Sequence, residues 1–265
     1  MLYPHSLLWH YLWVGPHFWQ VCLAFLIWRR GLRKLSPVFF AYLLYEATEN
    51  FTLYGMDVLP VGSVLAWWRA CFAGAVIEGL LKFAVIWEVF RHLTGQRPDA
   101  ARYGRRQIAC AAALLVAVAT FAAARAPINS EFPIVSMAHI LEETTYILAS
   151  GLWLFCFVFA QYAHLSWDKW DFGIALGASI SACVHLGTWA IMTNEVHLKK
   201  PYLLDFLNMT IYQVCVLIWY YYLLSAGHPS MAAAVDPALS ETKINPPSAP
   251  TLRRLWPASA LARLF

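Results

Sequence analysis

Seven apolar segments, each near the length that crosses a lipid bilayer, fill most of the first 225 residues of this chain. A helix rises about 1.5 Å per residue, so about 20 residues span roughly 30 Å of hydrocarbon. The short alternating segments of a membrane barrel are absent, and helices alone then satisfy the backbone in lipid. The sequence predicts an all-α, polytopic membrane helix bundle with seven transmembrane helices. The predicted spans are 7–28, 36–54, 63–90, 107–124, 134–160, 172–193 and 203–225.

The composition agrees with a membrane protein. Hydrophobic residues make up 60% of the chain and charged residues 13%, whereas soluble domains carry about 25% charged residues. The formal net charge of +4 is not accompanied by a basic patch on a nucleic-acid-binding fold. The lipid bilayer is therefore the predicted partner, and nucleic acid is not.

The distribution of Lys and Arg predicts the orientation. Fourteen of the nineteen fall in the segments on one side of the predicted membrane, and only Arg125, Lys199 and Lys200 fall on the other. The fourteen are Arg29, Arg30, Arg33, Lys34, Arg91, Arg97, Arg102, Arg105, Arg106, Lys169, Lys243, Arg253, Arg254 and Arg263. Because basic loops stay in the cytoplasm, the N-terminus is expected outside and the C-terminus in the cytoplasm.

The segments between the helices are short, which favours antiparallel neighbours. The predicted external loops are 55–62, 125–133 and 194–202, and the predicted cytoplasmic loops are 29–35, 91–106 and 164–171. The chain thus divides into a transmembrane domain, 1–225, and a cytoplasmic tail, 226–265. The middle of the tail is rich in Pro, Ser and Ala and is expected to be disordered. Its end, 251–265, mixes Arg with large apolar residues and forms either a short amphipathic helix on the inner leaflet or an unstructured end.

Ionisable residues inside the predicted helices are the candidate functional residues. Such groups are unfavourable in lipid and face the bundle interior, pair with one another or mark a pathway. Helix rise places Glu46 about 15 Å and Glu78 about 18 Å from the inner ends of their helices, near mid-membrane. The predicted mid-membrane cluster comprises Glu46, Glu49, Glu78, Lys82, His139, Glu142 and His185.

Three pairs within this cluster share a helix face. Glu78 and Lys82 are four residues apart, in the order that favours an ion pair. Glu46 and Glu49 are three apart, and two carboxylates so close in a low-dielectric region favour one of them holding a proton. His139 and Glu142 have the same spacing. Other polar residues on these helices are expected to line a shared cavity: Tyr42, Tyr45, Asn50, Tyr146, Asn208, Tyr212 and Gln213.

Such a cluster has several interpretations. Interhelical ion pairs and hydrogen bonds often serve only to fix helix packing, and a cavity for a small ligand or a proton is the main functional alternative. A metal or haem site lacks support, because no HExxH motif and no metal-binding Cys pair is present. No Lys occurs in the last helix, which excludes a retinal Schiff base there. No catalytic residue, metal ligand or cofactor is predicted.

Four apolar motifs carry a family resemblance: Pro37 to Tyr42, Val85 to Phe90, Phe172 to Gly177 and Leu217 to Tyr221. Over residues 1–225 the chain resembles uncharacterised seven-helix integral membrane proteins of soil bacteria of the acidobacterial type. That group has no assigned activity. The resemblance implies the seven-helix topology and a bacterial inner membrane, and it implies nothing about chemistry.

The expected function is a non-enzymatic receptor-like or partner-binding module, with a small polar ligand or a protein as its partner. A small transporter or proton-coupled carrier is the first alternative, although matching halves with broken helices are not visible. A membrane enzyme with a buried carboxylate site is the second.

Overall fold

The computed structural model describes residues 5–59, 63–95, 97–125, 133–194 and 202–225, which form helices joined by turns and loops, with no strand among them. The helices are α1 (Leu7–Arg29), α2 (Pro37–Val58), α3 (Val64–Gly95), α4 (Pro98–Arg125), α5 (Pro133–Tyr162), α6 (Lys169–Asn194) and α7 (Tyr202–Ser225). A short 3-10 turn, Leu32–Lys34, lies between α1 and α2. The all-α class is therefore confirmed. The predicted tail, 226–265, lies outside the described residues.

Every predicted span overlaps one of these helices. The predicted and observed helix ends differ most around residues 91–106. This segment was predicted to be a cytoplasmic loop, and that prediction was wrong for most of its length: α3 continues to Gly95 and α4 begins at Pro98. The apolar run marks the part of a helix that suits lipid, and polar residues extend the helix beyond it. Pro98 suits a helix start, because its fixed φ is helical and its missing N–H would be unpaired there in any case.

Five of the helices, α3 to α7, are long and apolar enough to cross a membrane. The helices α1 and α2 fall outside that group even though they have similar lengths. Polar residues such as His17, Gln20 and Glu46 within these two helices lower their mean hydropathy. These polar residues face the bundle interior, where His17, Gln20 and Glu46 are all buried.

Six helices close into a ring, in the order α1, α2, α3, α5, α6, α7 and back to α1. The contact between α1 and α7 closes this helix ring. The remaining helix, α4, packs outside it against α5 and α3. Apolar side chains of α4 point away from the ring: Leu114 is 67% exposed and Phe121 is 62% exposed. The position of α4 suits a helix whose outer face contacts lipid.

Aromatic packing fills one end of the helix ring. Phe39 of α2, Trp170 of α6 and Trp219 of α7 are each almost fully buried. The Phe39 ring contacts Trp170 edge to face at 5.6 Å between centroids and Trp219 at 5.3 Å. Such edge-to-face pairs add to the stabilisation from apolar burial.

Glu88 of α3 caps the start of α2 at this same end. Its two carboxylate oxygens accept hydrogen bonds from the backbone N–H groups of Val38 and Phe39, each at 3.0 Å. These N–H groups lack a partner within α2, and the Ser36 side chain does not cap them. A buried carboxylate on a helix N-terminus is stabilised both by these bonds and by the helix dipole. Glu88 is therefore structural.

Candidate functional site

A cavity of 410 Å³ occupies the opposite end of the helix ring. All six ring helices contribute to its wall and α4 does not. Its polar lining residues are His17, Glu46, Glu49, Asn50, Cys71, Glu78, Glu142, His185, Asp205 and Asn208. Its aromatic lining residues are Trp9, Trp13, Trp67, Tyr146 and Tyr212.

The lining residues show how the helices run. They come from the first halves of α1, α3, α5 and α7, from the middle and second half of α2, and from the second half of α6. The helices α2 and α6 are therefore antiparallel to the other four, as an up-and-down bundle requires. The cavity lies at the end where α1 begins.

Five of the seven residues predicted to form the mid-membrane cluster line this cavity. They are Glu46, Glu49, Glu78, Glu142 and His185. Asn50, Tyr146, Asn208 and Tyr212, which were expected to accompany them, line it as well. The structure thus brings together polar groups that come from five different helices.

Lys82, the sixth predicted residue, lies at the floor of the cavity. Its ammonium group is 2.5 Å from Glu78 Oε1 and 4.3 Å from the centroid of the Tyr146 ring. Beneath the cavity lies a small space of about 20 Å³, bounded by Phe39, Lys82 and Trp219 among others, which is room for about one water molecule. Beyond this space, the aromatic core fills the end of the helix ring opposite the cavity.

His139, the seventh predicted residue, does not line the cavity. Its ring packs between Trp68 of α3, at 5.4 Å, and Trp189 of α6, at 4.7 Å. No hydrogen bond or ion pair joins His139 to Glu142 among the described residues, and His139 Nδ1 is buried without a hydrogen-bond partner. Three-residue spacing places two side chains on one face, but neighbouring helices decide which of them reaches the interior.

A buried hydrogen-bonded chain links α1, α2 and α7 at one wall of the cavity. The amide oxygen of Gln20 only accepts, so His17 donates to it from Nδ1, over 2.7 Å. The Gln20 amide then donates to Glu46 Oε2, at 3.4 Å, and to the Tyr212 hydroxyl. Gln20 is completely buried and was missed by sequence reasoning. Its spacing of three residues from His17 in an apolar segment is the signal that could have revealed it.

Glu49 packs against Gly74 of α3, a residue that has no side chain. A Cβ atom on Gly74 would lie 1.7 Å from Glu49 Oε1, so a larger residue at position 74 would displace the carboxylate. The other oxygen, Oε2, is buried and has no hydrogen-bond partner among the described residues. An unpaired buried acceptor is unfavourable, and a bound group could satisfy it.

Two further carboxylates at the cavity lack a partner. Glu142 and Asp205 form no hydrogen bond or ion pair with any residue in the described part of the chain. The described residues also contain no group of three His, Cys, Asp or Glu side chains that could hold a metal ion. The cavity is therefore rich in carboxyl groups without the converging ligands of a metal centre.

No protein-family model, no curated protein and no solved structure matches this chain. The feature from which a function can be inferred is therefore the cavity, with its acidic and aromatic wall.

Proposed function

We propose that this chain is a multi-pass inner-membrane protein with seven spans, and that it acts as a receptor-like module that binds a small polar ligand from the extracytoplasmic side. The observation that carries the proposal is the 410 Å³ cavity. Ligand sites are typically concave spaces of about 300–1,000 Å³ with a few convergent polar groups. In this scheme α1 and α2 cross the membrane together with the five more apolar helices, because they complete the ring.

The charge distribution supports an opening towards the outside. The cavity lies at the end where α1 begins, whereas Arg29 and Arg30 lie where α1 ends. Arg91, near the end of α3, and Lys169, at the start of α6, belong to that same distant end. Because basic residues collect on the cytoplasmic side, the cavity faces away from the cytoplasm.

The packed floor supports binding rather than passage. A carrier exposes its site to each side in turn, and its ligand must cross the whole bundle. Here the fully buried Phe39, Trp170 and Trp219 fill the end opposite the cavity. Moving a ligand past these rings requires a second packing of the core, whereas binding at the cavity requires none.

Labelling of single cysteines tests the proposal. Cys71 lines the cavity, so a variant that lacks the other five cysteines reports access to it. A second variant carries Glu142→Cys as its only cysteine, and a matched control carries Leu114→Cys on the exposed face of α4. Right-side-out membrane vesicles are treated with a small, membrane-impermeant thiol reagent, and labelling is quantified by mass spectrometry.

We expect Cys71 and the cysteine at position 142 to be labelled from the outside, because both face water in the cavity. The cysteine at position 114 should stay unmodified, because lipid covers it. Absence of labelling at both cavity positions in a folded protein would refute an externally open cavity. Labelling only in inside-out vesicles would reverse the orientation.

A further inference from the structure

The geometry points to the chemical class of the ligand: we propose that the cavity binds a small organic cation, an ammonium compound with an apolar body. This inference rests on the proposed binding function and makes it more specific. It depends on three features of the cavity, namely its unpaired carboxylates, its aromatic wall and the way in which the protein already holds its own ammonium group.

The charges of the cavity are unbalanced. Glu78 has a cation partner, Lys82, and Glu46 accepts a hydrogen bond from Gln20. Glu142 and Asp205 line the cavity with no cation or hydrogen-bond donor on them among the described residues, and Glu49 Oε2 is buried without a hydrogen-bond partner there. Half-buried carboxylates without a partner leave a deficit of positive charge, which a cationic ligand would remove. An anionic ligand would increase it.

Aromatic rings supply the second half of an ammonium site. Trp9, Trp13 and Trp67 lie in the first turns of α1 and α3 and line the cavity near its mouth. Trp9 and Trp13 contact each other edge to face at 6.1 Å, which fixes their ring planes. Aromatic faces attract ammonium groups, and Trp attracts them most strongly. The same rings offer apolar surface for the body of the ligand.

Lys82 shows the same chemistry inside the protein. Its ammonium group is held between a carboxylate, Glu78, and the face of an aromatic ring, Tyr146. Both Glu78 and Tyr146 line the cavity. A ligand ammonium would meet the same two kinds of partner higher in the cavity, where Glu142 and the Oε2 atom of Glu49 have no partner among the described residues.

A metal ion fits this cavity less well than an organic cation. A metal needs several ligand atoms converging within about 2.0–2.6 Å of one point. The described residues do not bring three such side chains together. A space of 410 Å³ with aromatic walls instead suits a molecule with a charged head and an apolar body.

Cys71 provides a probe of the charge within the cavity. Its thiol lines the cavity and lies within electrostatic reach of Glu142 and Glu49. In the variant that keeps only Cys71, the labelling rates of two reagents of similar size are compared. One is trimethylammonium-ethyl methanethiosulfonate, a cation, and the other is sulfonatoethyl methanethiosulfonate, an anion. Each rate is divided by the reagent's rate with 2-mercaptoethanol, so the intrinsic reactivity of the reagents cancels.

The cationic reagent should react with Cys71 roughly tenfold faster than the anionic one, or more, because an acidic cleft concentrates cations. Glu49→Gln and Glu142→Gln, made separately and together, should each reduce this ratio while Cys71 stays accessible. Phenethylammonium should slow the labelling, and its neutral analogue 2-phenylethanol should slow it less at the same concentration.

The outcomes separate the two proposals. If neither reagent labels Cys71, and the single cysteine at position 142 also stays unlabelled, the open cavity itself is refuted. If both label it at equal normalised rates, or the anionic reagent is faster, the cavity stands and the cationic ligand class is overturned. A preference that persists in the Glu49→Gln, Glu142→Gln double variant, or equal protection by phenethylammonium and 2-phenylethanol, would overturn it as well.

Discussion

At the scale of single residues, Lys82 is held by two partners at the floor of the cavity. Glu78 lies one helical turn before it on α3, and the ring of Tyr146 on α5 lies beneath its ammonium group. The side chains of Lys82 and Glu78 are only 17% and 21% exposed. In such an environment, removing one charge leaves the other without compensation, which is more harmful than removing both.

Single substitutions in this pair should therefore lower stability, and the double substitution should recover part of the loss. Glu78→Gln or Lys82→Met alone is expected to cost about 3 kcal/mol. The combined variant should be more stable than the sum of the two effects implies. Thermal unfolding of all four proteins in the same detergent measures this as a double-mutant cycle. Additive decreases in Tm would show that the two residues do not interact.

The spacing of Glu78 and Lys82 in the sequence was enough to predict their pairing, because both lie on one helix. The bonds from Gln20 to Tyr212 and from α2 to Glu88 could not be found in this way. Each of them joins residues on different helices, 192 positions apart for Gln20 and Tyr212 and 50 for Glu88 and Val38. Sequence spacing carries no information about which faces of different helices meet.

At the scale of helices, α6 and α7 approach closely because α6 presents glycine to α7. A Cβ atom on Gly173 would lie 2.4 Å from Tyr222 Cβ, an atom next to the α7 backbone that cannot swing aside. In a membrane, where lipid is as apolar as a helix face, such close contact is a main source of helix association. The same helix also carries Gly187, which faces open space with no heavy atom within 4 Å of an added Cβ.

Gly173→Ala should therefore destabilise the protein by about 1–3 kcal/mol, because the added methyl group overpacks the interface. Gly187→Ala is the matched control on the same helix and should leave stability unchanged or raise it slightly, since Ala favours helix more than Gly does. The Tm of each variant in detergent, compared with the unmodified protein, checks both statements. A Tm for Gly173→Ala equal to that of the control would mean that α6 and α7 are not packed this closely.

The apolar segments predicted the positions of the helices, because twenty apolar residues have few other folds available in lipid. They did not predict the ends of α3 and α4, since a helix continues where hydropathy falls. They also did not predict that α5 follows α3 around the ring while α4 packs outside it. That order depends on which faces fit together, and an apolar helix looks much the same on every side.

At the scale of the whole molecule, the two ends of the bundle differ in chemistry. One end holds the cavity with its carboxylates and Trp residues. The other holds the aromatic core, the cap by Glu88, and His92 3.1 Å from Asp171. The sequence indicated a polar mid-membrane cluster but not its opening, because depth along a helix does not show which side of the cluster remains unfilled.

Reporter fusions test the orientation of the bundle in the membrane. A reporter that is active only in the cytoplasm should be active when fused after Arg106 and inactive when fused after Asn129 or Glu195. The reason is the excess of Lys and Arg on one side of the predicted membrane, fourteen residues against three, together with their retention in the cytoplasm. A reporter active only outside the cytoplasm, fused at the same sites, serves as the control and should give the opposite pattern. If the cytoplasmic reporter were active after Asn129 or Glu195, the cavity would open towards the cytoplasm, and the proposed ligand would have to be an intracellular cation.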